Sequence, residues 1–233
     1  MSVKSNIGLI DDGLKWHFDP AHSVTQNSTS ISNNIARTYH RVKERGDMRN
    51  GATFSSANGG SFSFDGSNDY IEYTNASLAN VTGDMTIIAW VYPTGFPSGQ
   101  SSICTWANVY SNQDFPFHFN LSSTYIRLNA GNRGNKTRST SISLNEWVQV
   151  AVTYDASVGD AEFFKNGSSV GSITSYTAGN RYDATGNSSQ KFSISRSNGQ
   201  YWKGNIGPII IYDRILSSTE MERSYNALKN RFI

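Results

Sequence analysis

The sequence predicts an all-β fold, an antiparallel sandwich or a barrel, followed by one C-terminal helix. Three observations carry that prediction. Apolar residues fall in short alternating or continuous runs separated by Gly, Asn, Ser and Asp turns, which is the pattern of half-buried strands. Asn166-Gly167 joins two such runs, and Asn-Gly readily supplies the positive φ angles of a type I′ hairpin turn. Only the last segment has a helical period.

The elements follow in chain order. Leu14 to Phe18 reads as a strand and Asp19-Pro20 as a turn. Residues 1–12 are too short and polar to build a core and read as a candidate N-terminal arm, with the domain occupying 13–233. Residues 20–50 show no sustained periodicity, and a loop of that length is usually functional or mobile. Ser61 to Phe64 alternates, Asp65-Gly66-Ser67-Asn68-Asp69 turns, and Tyr70 to Tyr73 alternates again. Met85 to Tyr92 is a strong strand stopped by Pro93, and Ser101 to Trp106 follows. Phe117 to Leu121 and Tyr125 to Asn129 form a hairpin pair. Trp147 to Tyr154 is a long apolar run. Ala161 to Lys165 and Ser168 to Ile173 flank the Asn-Gly turn. Lys191 to Ser195 and Gly204 to Tyr212 complete the strands. Trp90, Trp147 and Phe163 have apolar partners two residues away and read as core. Ser217 and Glu220 fit a capping box, in which the serine accepts an orphan N–H and the glutamate reaches back. Met221, Tyr225 and Leu228 then recur on one helical face.

Composition excludes several classes. Charged residues are 16% of the 233-residue chain, hydrophobic residues 37% and aromatics 12%. Soluble domains usually carry about 25% charge, so Asn, Ser, Thr and Gly have filled a deficit. The formal net charge is +2. That gives no electrostatic case for nucleic acid, which needs clustered Lys and Arg. The basic stretch Arg37 to Arg49 is diluted by Glu44 and Asp47 and reads as a solvated loop. The single cysteine, Cys104, excludes an intrachain disulfide or a cysteine zinc site and reads as a small buried hydrophobe. No window approaches the ~18 apolar residues of a membrane span. The N-terminus has no apolar core of signal-peptide length, so the chain is expected to be made in the cytoplasm without membrane insertion.

Catalytic chemistry finds little purchase. Retaining glycoside hydrolysis needs two carboxyls about 5 Å apart, and the nearest same-strand pair is Asp160 and Glu162, with Asp160 at a turn. His17, His22, His40 and His118 have no partners at metal-ligand spacing. Asp65 and Asp69 are candidate calcium ligands, because their loop offers carboxylate, amide and backbone oxygens. The competing reading is a tight turn in which Asp and Asn bond their own backbone. A sugar-binding face needs loop aromatics beside amides and charges. Trp106, Asn108, Tyr110 and Asp114 supply these in one segment, with Arg133 in the polar segment 131–136.

Several segments together resemble a known family. Phe64-Asp65-Gly66-Ser67-Asn68-Asp69-Tyr70-Ile71, Thr86-Ile87-Ile88-Ala89-Trp90-Val91, Glu146 to Asp155, Phe163-Phe164-Lys165-Asn166-Gly167 and Lys203 to Ser217 resemble concanavalin A-like lectin/glucanase domains of the laminin-G-like kind. The resemblance implies a jelly-roll sandwich. It leaves function open, because that fold hosts lectins, hydrolases and structural modules. The family's glucanases carry acids at alternate positions of one strand, and no strand here does, which argues against an enzyme. Leu9 to Asp19 and the ending Tyr225 to Phe232 are similar to stand-alone virion proteins of tailed bacteriophages. That similarity implies a non-enzymatic structural or surface protein of a virion, with other virion proteins or copies of itself as partners. The alternatives are a glycan-binding module for host attachment and a glycoside hydrolase. No cofactor beyond the candidate calcium is implied.

Overall fold

Strands form where the alternating runs place them, and they pair into two antiparallel sheets. A computed structural model describes residues 10–20, 35–37, 45–73, 79–108, 116–131, 134–174, 177–179, 183 and 190–233. Among these, the first sheet contains β1 (Leu14–Phe18), β4 (Thr53–Ser55), β5 (Ser61–Asp65), β7 (Met85–Gly95), β12 (Val148–Asp155), β13 (Asp160–Lys165), β14 (Ser168–Ile173) and β18 (Lys203–Tyr212). Its order is β14-β13-β12-β7-β18-β5-β4, with β1 also paired to β18. The second sheet contains β2 (Ile35–Arg37), β3 (Arg45–Arg49), β6 (Tyr70–Tyr73), β8 (Ser101–Asn108), β9 (Phe117–Leu121), β10 (Tyr125–Asn129), β11 (Asn135–Ser139) and β15 (Gln190–Ile194). Its order is β11-β10-β9-β8-β15-β6-β3-β2. A two-stranded ribbon, β16 (Arg196–Ser197) and β17 (Gln200–Tyr201), a single 3-10 turn (Ala57–Gly59) and one α-helix, α1 (Ser218–Phe232), complete the described elements. The result is a jelly-roll sandwich.

The core lies between the sheets and is strongly aromatic. Trp16 packs edge-on to Tyr73 and to Phe192, at centroid distances of 5.5 and 4.6 Å. Phe18 stacks on Phe62 at 5.5 Å. These contacts tie β1 and β5 of one sheet to β6 and β15 of the other. Cys104 is buried in the same layer, and burial pushes its thiol pKa up.

The central strands of the first sheet are buried on both faces, which explains why β7 and β12 are continuously apolar rather than alternating. Ile88, Ala151, Phe164 and Ile210 point away from the core and are covered by Leu216 and Met221. Trp90 stacks on Tyr225 at 5.6 Å and on Phe232 at 4.7 Å, and Trp147 meets Phe232 at 4.5 Å. The predicted capping box is present, with the Ser217 hydroxyl accepting from Glu220 N–H and the Glu220 carboxylate accepting from Ser217 N–H. Arg214 adds a bidentate pair to Glu220 at 3.0 and 2.6 Å.

Three expectations change. The strand expected to stop at Pro93 continues to Gly95. Pairing with β12 ends at Val91, so β7 has one neighbour there, and β18 meets it through a register shift with Gly204 opposite Pro93. A proline is tolerated at such an irregular edge. Gly204 has φ +122°, and a side chain there would collide with the Tyr92 carbonyl. The segment 20–50, expected to be irregular, contributes β2 and β3, which pair with each other and extend the second sheet. Residues 1–9 of the expected arm lie outside the described residues, but Ile10 is buried with Leu14 and Tyr212 in the layer beneath the helix.

Two outcomes follow from the helix contacts. Phe232→Ala removes a buried ring from two tryptophans and is expected to cost about 3 kcal/mol in chemical denaturation. The Arg214 hydrogen bonds hold the Glu220 carboxyl down to about 2, against an ordinary 4.5. A carboxylate depressed on folding stabilises above its unfolded pKa and loses that contribution as pH falls toward the folded value. The wild type should therefore melt above Glu220→Gln at pH 7. The difference should close between pH ~4.5 and ~2, as followed by thermal melts.

Candidate functional site

With the central strands of the first sheet covered on both sides, polar side chains collect on the outer face of the second sheet. Antiparallel register puts residues opposite one another on the same face. One row runs Asp47, Glu72, Ser193, Thr105, His118, Asn129 and Asn135, from β3 through β6, β15, β8, β9 and β10 to β11. A second row, two residues along, runs Ser102, Asn120, Arg127 and Thr137, from β8 to β11. Ser102 and Thr105 are three apart yet share this face, because a register shift between Ser102 and Cys104 turns both Ile103 and Cys104 into the core.

The β16–β17 ribbon lies over these rows. The Ser197 hydroxyl is 3.1 Å from His118 Nδ1, and Asn120 Nδ2 donates to Gln200 Oε1 at 3.2 Å. Arg196 reaches Glu72 at 3.4 Å and covers the Tyr70 ring at 4.4 Å. Asn198 and Gly199, with φ 41° and 77°, supply the tight turn. That Asn-Gly pair carries the same hairpin signal as Asn166-Gly167, and it is the sequence feature by which the ribbon could have been found.

Several polar atoms beneath the ribbon are buried without a protein partner. They are His118 Nε2, Asn120 Oδ1, Ser102 Oγ and Ser193 Oγ. A buried polar atom left unpaired costs about 1–3 kcal/mol. A cluster of them marks a place where water or a ligand supplies the missing bonds. Burial pushes the His118 imidazole down to about 3, and the neighbouring Arg127 acts in the same direction. His118 is therefore a neutral hydrogen-bonding group on this face.

The sequence-predicted residues are distributed differently. Trp106 is on β8, 6% exposed, with its ring in the inter-sheet core beside Phe192. Asn108 pairs through its backbone with Gln190. The Asn108 side chain, Tyr110, Asp114 and Arg133 lie outside the described residues. Asp65 Oδ1 accepts from Ser67 N–H at 2.7 Å and Asn68 N–H at 3.3 Å, and Asp69 Oδ2 accepts from Asp65 N–H at 3.0 Å. The Ser67 N–H holds the Asp65 carboxyl low, whereas burial raises Asp69. This loop carries the chain from β5 in one sheet to β6 in the other. Among the described residues, no three His, Cys, Asp or Glu come together in a way that could hold a metal.

Asp47 and Glu72 form a cross-strand acid pair that inspection of single strands missed. Each already has a cation: Glu72 has Lys191 and Arg196 at 3.5 and 3.4 Å, and Asp47 has Arg49 at 3.2 Å. Asp160, expected at a turn, is the first residue of β13, so Asp160 and Glu162 do stand at alternate positions of one strand, but Glu162 accepts from the Ser169 hydroxyl at 2.6 Å. A separate cleft of about 410 Å³ is lined by Lys15, Asn80, Val81, Thr82, Asp84 and Asp213. Its polar groups are engaged locally, Asp213 with Lys15 at 2.6 Å and Asp84 with Ala156 N–H at 2.9 Å.

A family model described as the concanavalin A-like lectin/glucanases superfamily matches residues 65–222, more than half of the chain. The chain belongs to that superfamily. Similar solved structures include the receptor binding domain of botulinum neurotoxin type G. It is 14% identical, with a TM-score of 0.66, 92% of this chain covered and 51% of that one. Domain 4 of AbnA, a GH43 extracellular arabinanase from Geobacillus stearothermophilus, is 13% identical with a TM-score of 0.65, covering 92% and 98%. The binding domain of botulinum neurotoxin DC, in complex with rat synaptotagmin II, is 12% identical with a TM-score of 0.65, covering 93% and 52%. The chain thus spans about half the length of the neurotoxin domains. At these identities the likeness establishes the fold. A search of curated protein sequences finds no match.

In this superfamily member the state of His118 can be read directly. Its imidazole carbons should show no titration by NMR between pH 8 and ~5, where an ordinary histidine changes charge near 6.5. A base depressed on folding stabilises above its unfolded pKa and loses that contribution as pH falls toward the folded value. The melting temperature of the wild type should therefore fall relative to His118→Gln as pH drops from ~6.5 toward ~3.

Proposed function

We propose that this chain is a non-enzymatic recognition protein, exposed on a bacteriophage particle, that holds a glycan on the outer face of its second sheet. The observation that carries the reading is the set of buried, unpartnered polar atoms of His118, Asn120, Ser102 and Ser193. Sugar hydroxyls both donate and accept, so they suit a face that presents an imidazole nitrogen, an amide oxygen and hydroxyls together. While Arg196 at its base pairs with Glu72, the tip of the ribbon over that face is held to β9 by neutral hydrogen bonds through Ser197 and Gln200. Such bonds are modest in net strength, about 0.5–1.5 kcal/mol each, so a ligand can displace them.

A glycan is favoured as partner because a jelly roll of the same build, domain 4 of the arabinanase, was solved in complex with arabinotriose. The neurotoxin DC domain, solved in complexes with synaptotagmin II and with SialylT, supports recognition rather than turnover. Hydrolysis is disfavoured because Asp47 and Glu72, the adjacent acids of this face, both face cations. The virion setting rests on the sequence layout at the two ends of the chain, with other virion proteins or further copies as neighbours.

The test has two arms. Antibody against the protein should label purified phage particles in electron microscopy, and a glycan array should retain the protein without releasing reducing ends. Asn120→Ala should weaken retention about ten-fold, the value of one or two buried hydrogen bonds. Chelating calcium should leave retention unchanged, because Asp65 Oδ1 and Asp69 Oδ2 already accept backbone N–H groups of their own turn. An array with no retained glycan, or unlabelled particles, would contradict the corresponding half of the proposal.

A further inference from the structure

The cations of the outer face are not equivalent. Lys191 and Arg196 are matched by Glu72, and Arg49 is matched by Asp47. Arg127, at the β10 end of the second row, has only neutral partners among the described residues. Its Nε donates to Thr137 Oγ1 at 3.0 Å and its Nη1 donates to Gln100 Oε1 at 2.7 Å. The same Gln100 oxygen accepts from the Tyr125 hydroxyl at 2.8 Å, and the guanidinium lies 4.6 Å above the Tyr125 ring. The plane of the group is thereby fixed from two sides while its charge is left unmatched. A guanidinium has five N–H donors in one plane, and the N–H groups of Nη2 have no protein acceptor among the described residues.

That arrangement differs from a structural arginine, which meets a carboxylate or a set of backbone carbonyls. Arg231 of this chain is an example, bonded to Asp19 and to the carbonyls of Asn58 and Gly60. It also differs from a solvated surface arginine, which has no fixed plane. Directly across the β9–β10 pairing from Arg127 stands Asn120, and beyond it Ser102. Both are buried, and Asn120 Oδ1 and Ser102 Oγ are unpartnered. One row thus presents a charged planar donor followed by groups that match hydroxyls.

We infer that Arg127 is the subsite for a sugar carboxylate, so that the glycan this face takes is an acidic one carrying a uronate or sialate residue. The inference rests on the glycan reading above and names its ligand class. A carboxylate offers two coplanar oxygens to the coplanar N–H groups of a guanidinium, which is the geometry of bidentate pairing. The neighbouring Asn120 and Ser102 would then engage the ring hydroxyls of the same or the next sugar. Thr137, Gln100 and Tyr125 are positioning residues that act through Arg127.

The test uses the full chain on an array printed with uronate- and sialate-bearing glycans, their carboxyl-reduced neutral counterparts, and sulfated glycans. Retention is expected on the carboxylated members and about ten-fold or more weaker on their reduced counterparts, the value of a charge-assisted bidentate pair. It should decline with added salt. Arg127→Gln should abolish the preference and Arg127→Lys should restore part of it. Gln100→Glu keeps the arginine but supplies it with an internal carboxylate. It should fold at least as stably as wild type and lose the acidic ligand, so the test does not depend on Arg127→Gln folding. Arg49→Gln, remote on β3, should change nothing. Equal retention of carboxylated and reduced glycans, or a preference for the sulfated members, would overturn the carboxylate assignment while leaving glycan recognition standing. No retention of any glycan would overturn both.

Discussion

The stacking of Trp90 on Tyr225 and Phe232 seals the central strands of the first sheet beneath the helix. A two-sheet domain has four faces, and the core takes two of them. The helix, anchored by its capping box and by the two aromatic contacts to Trp90, takes a third. The outer face of the second sheet carries polar side chains, and those of its central strands are buried as well. The same constraint accounts for the sequence pattern. Met85 to Val91 is buried without interruption because both of its sides are covered. In β9 the polar His118 and Asn120 alternate with Phe117, Phe119 and Leu121.

The remaining face departs from an ordinary solvated sheet surface. A ribbon folds over its middle, and buried polar atoms of the face have no protein partner. Its charges are segregated. Paired ions occupy the β3–β6 end, neutral groups the centre, and one unmatched guanidinium the β10 end. A domain selected only for stability gains nothing from burying serine, asparagine and histidine atoms without partners. Their retention is consistent with a face shaped around something that is bound only part of the time.

Much of the fold was legible in the sequence because the determining signals are local. The Asn166-Gly167 hairpin, the β9–β10 hairpin and the capping box at Ser217 and Glu220 each rest on residues within a few positions of one another. The strand β7 was readable, but its passage through Pro93 was not. That passage depends on Gly204, more than a hundred residues away, making room opposite it. The strands β2 and β3 were hidden because they pair with each other and, through β3, with β6, whose apolar alternation gives no hint of what lies beside it. Trp106 resembled a loop aromatic from its polar neighbours downstream, whereas the period of β8 turns its ring inward against Phe192. The candidate face itself was the least legible part. Its rows join residues from seven strands, and only the register shift after Ser102 brings Ser102 and Thr105 to the same side. The acid pair Asp47 and Glu72 is likewise a product of register. Arg127 gave no signal in the sequence, because what distinguishes it is the absence of a carboxylate, among the described residues, from a surrounding assembled from three separate segments.

The central claim is that recognition occurs on the outer face of the second sheet and not on the helix side. The native Cys104 is buried and its thiol is held protonated by its apolar setting, so cysteines introduced at the surface can be labelled selectively. The most direct measurement is glycan retention by two variants carrying a bulky maleimide label, Asn129→Cys on β10 and Thr219→Cys on the helix. The account predicts that the label on β10 abolishes retention and that the label on the helix leaves it at the unlabelled level. Retention that survives the first label and is lost with the second would contradict it.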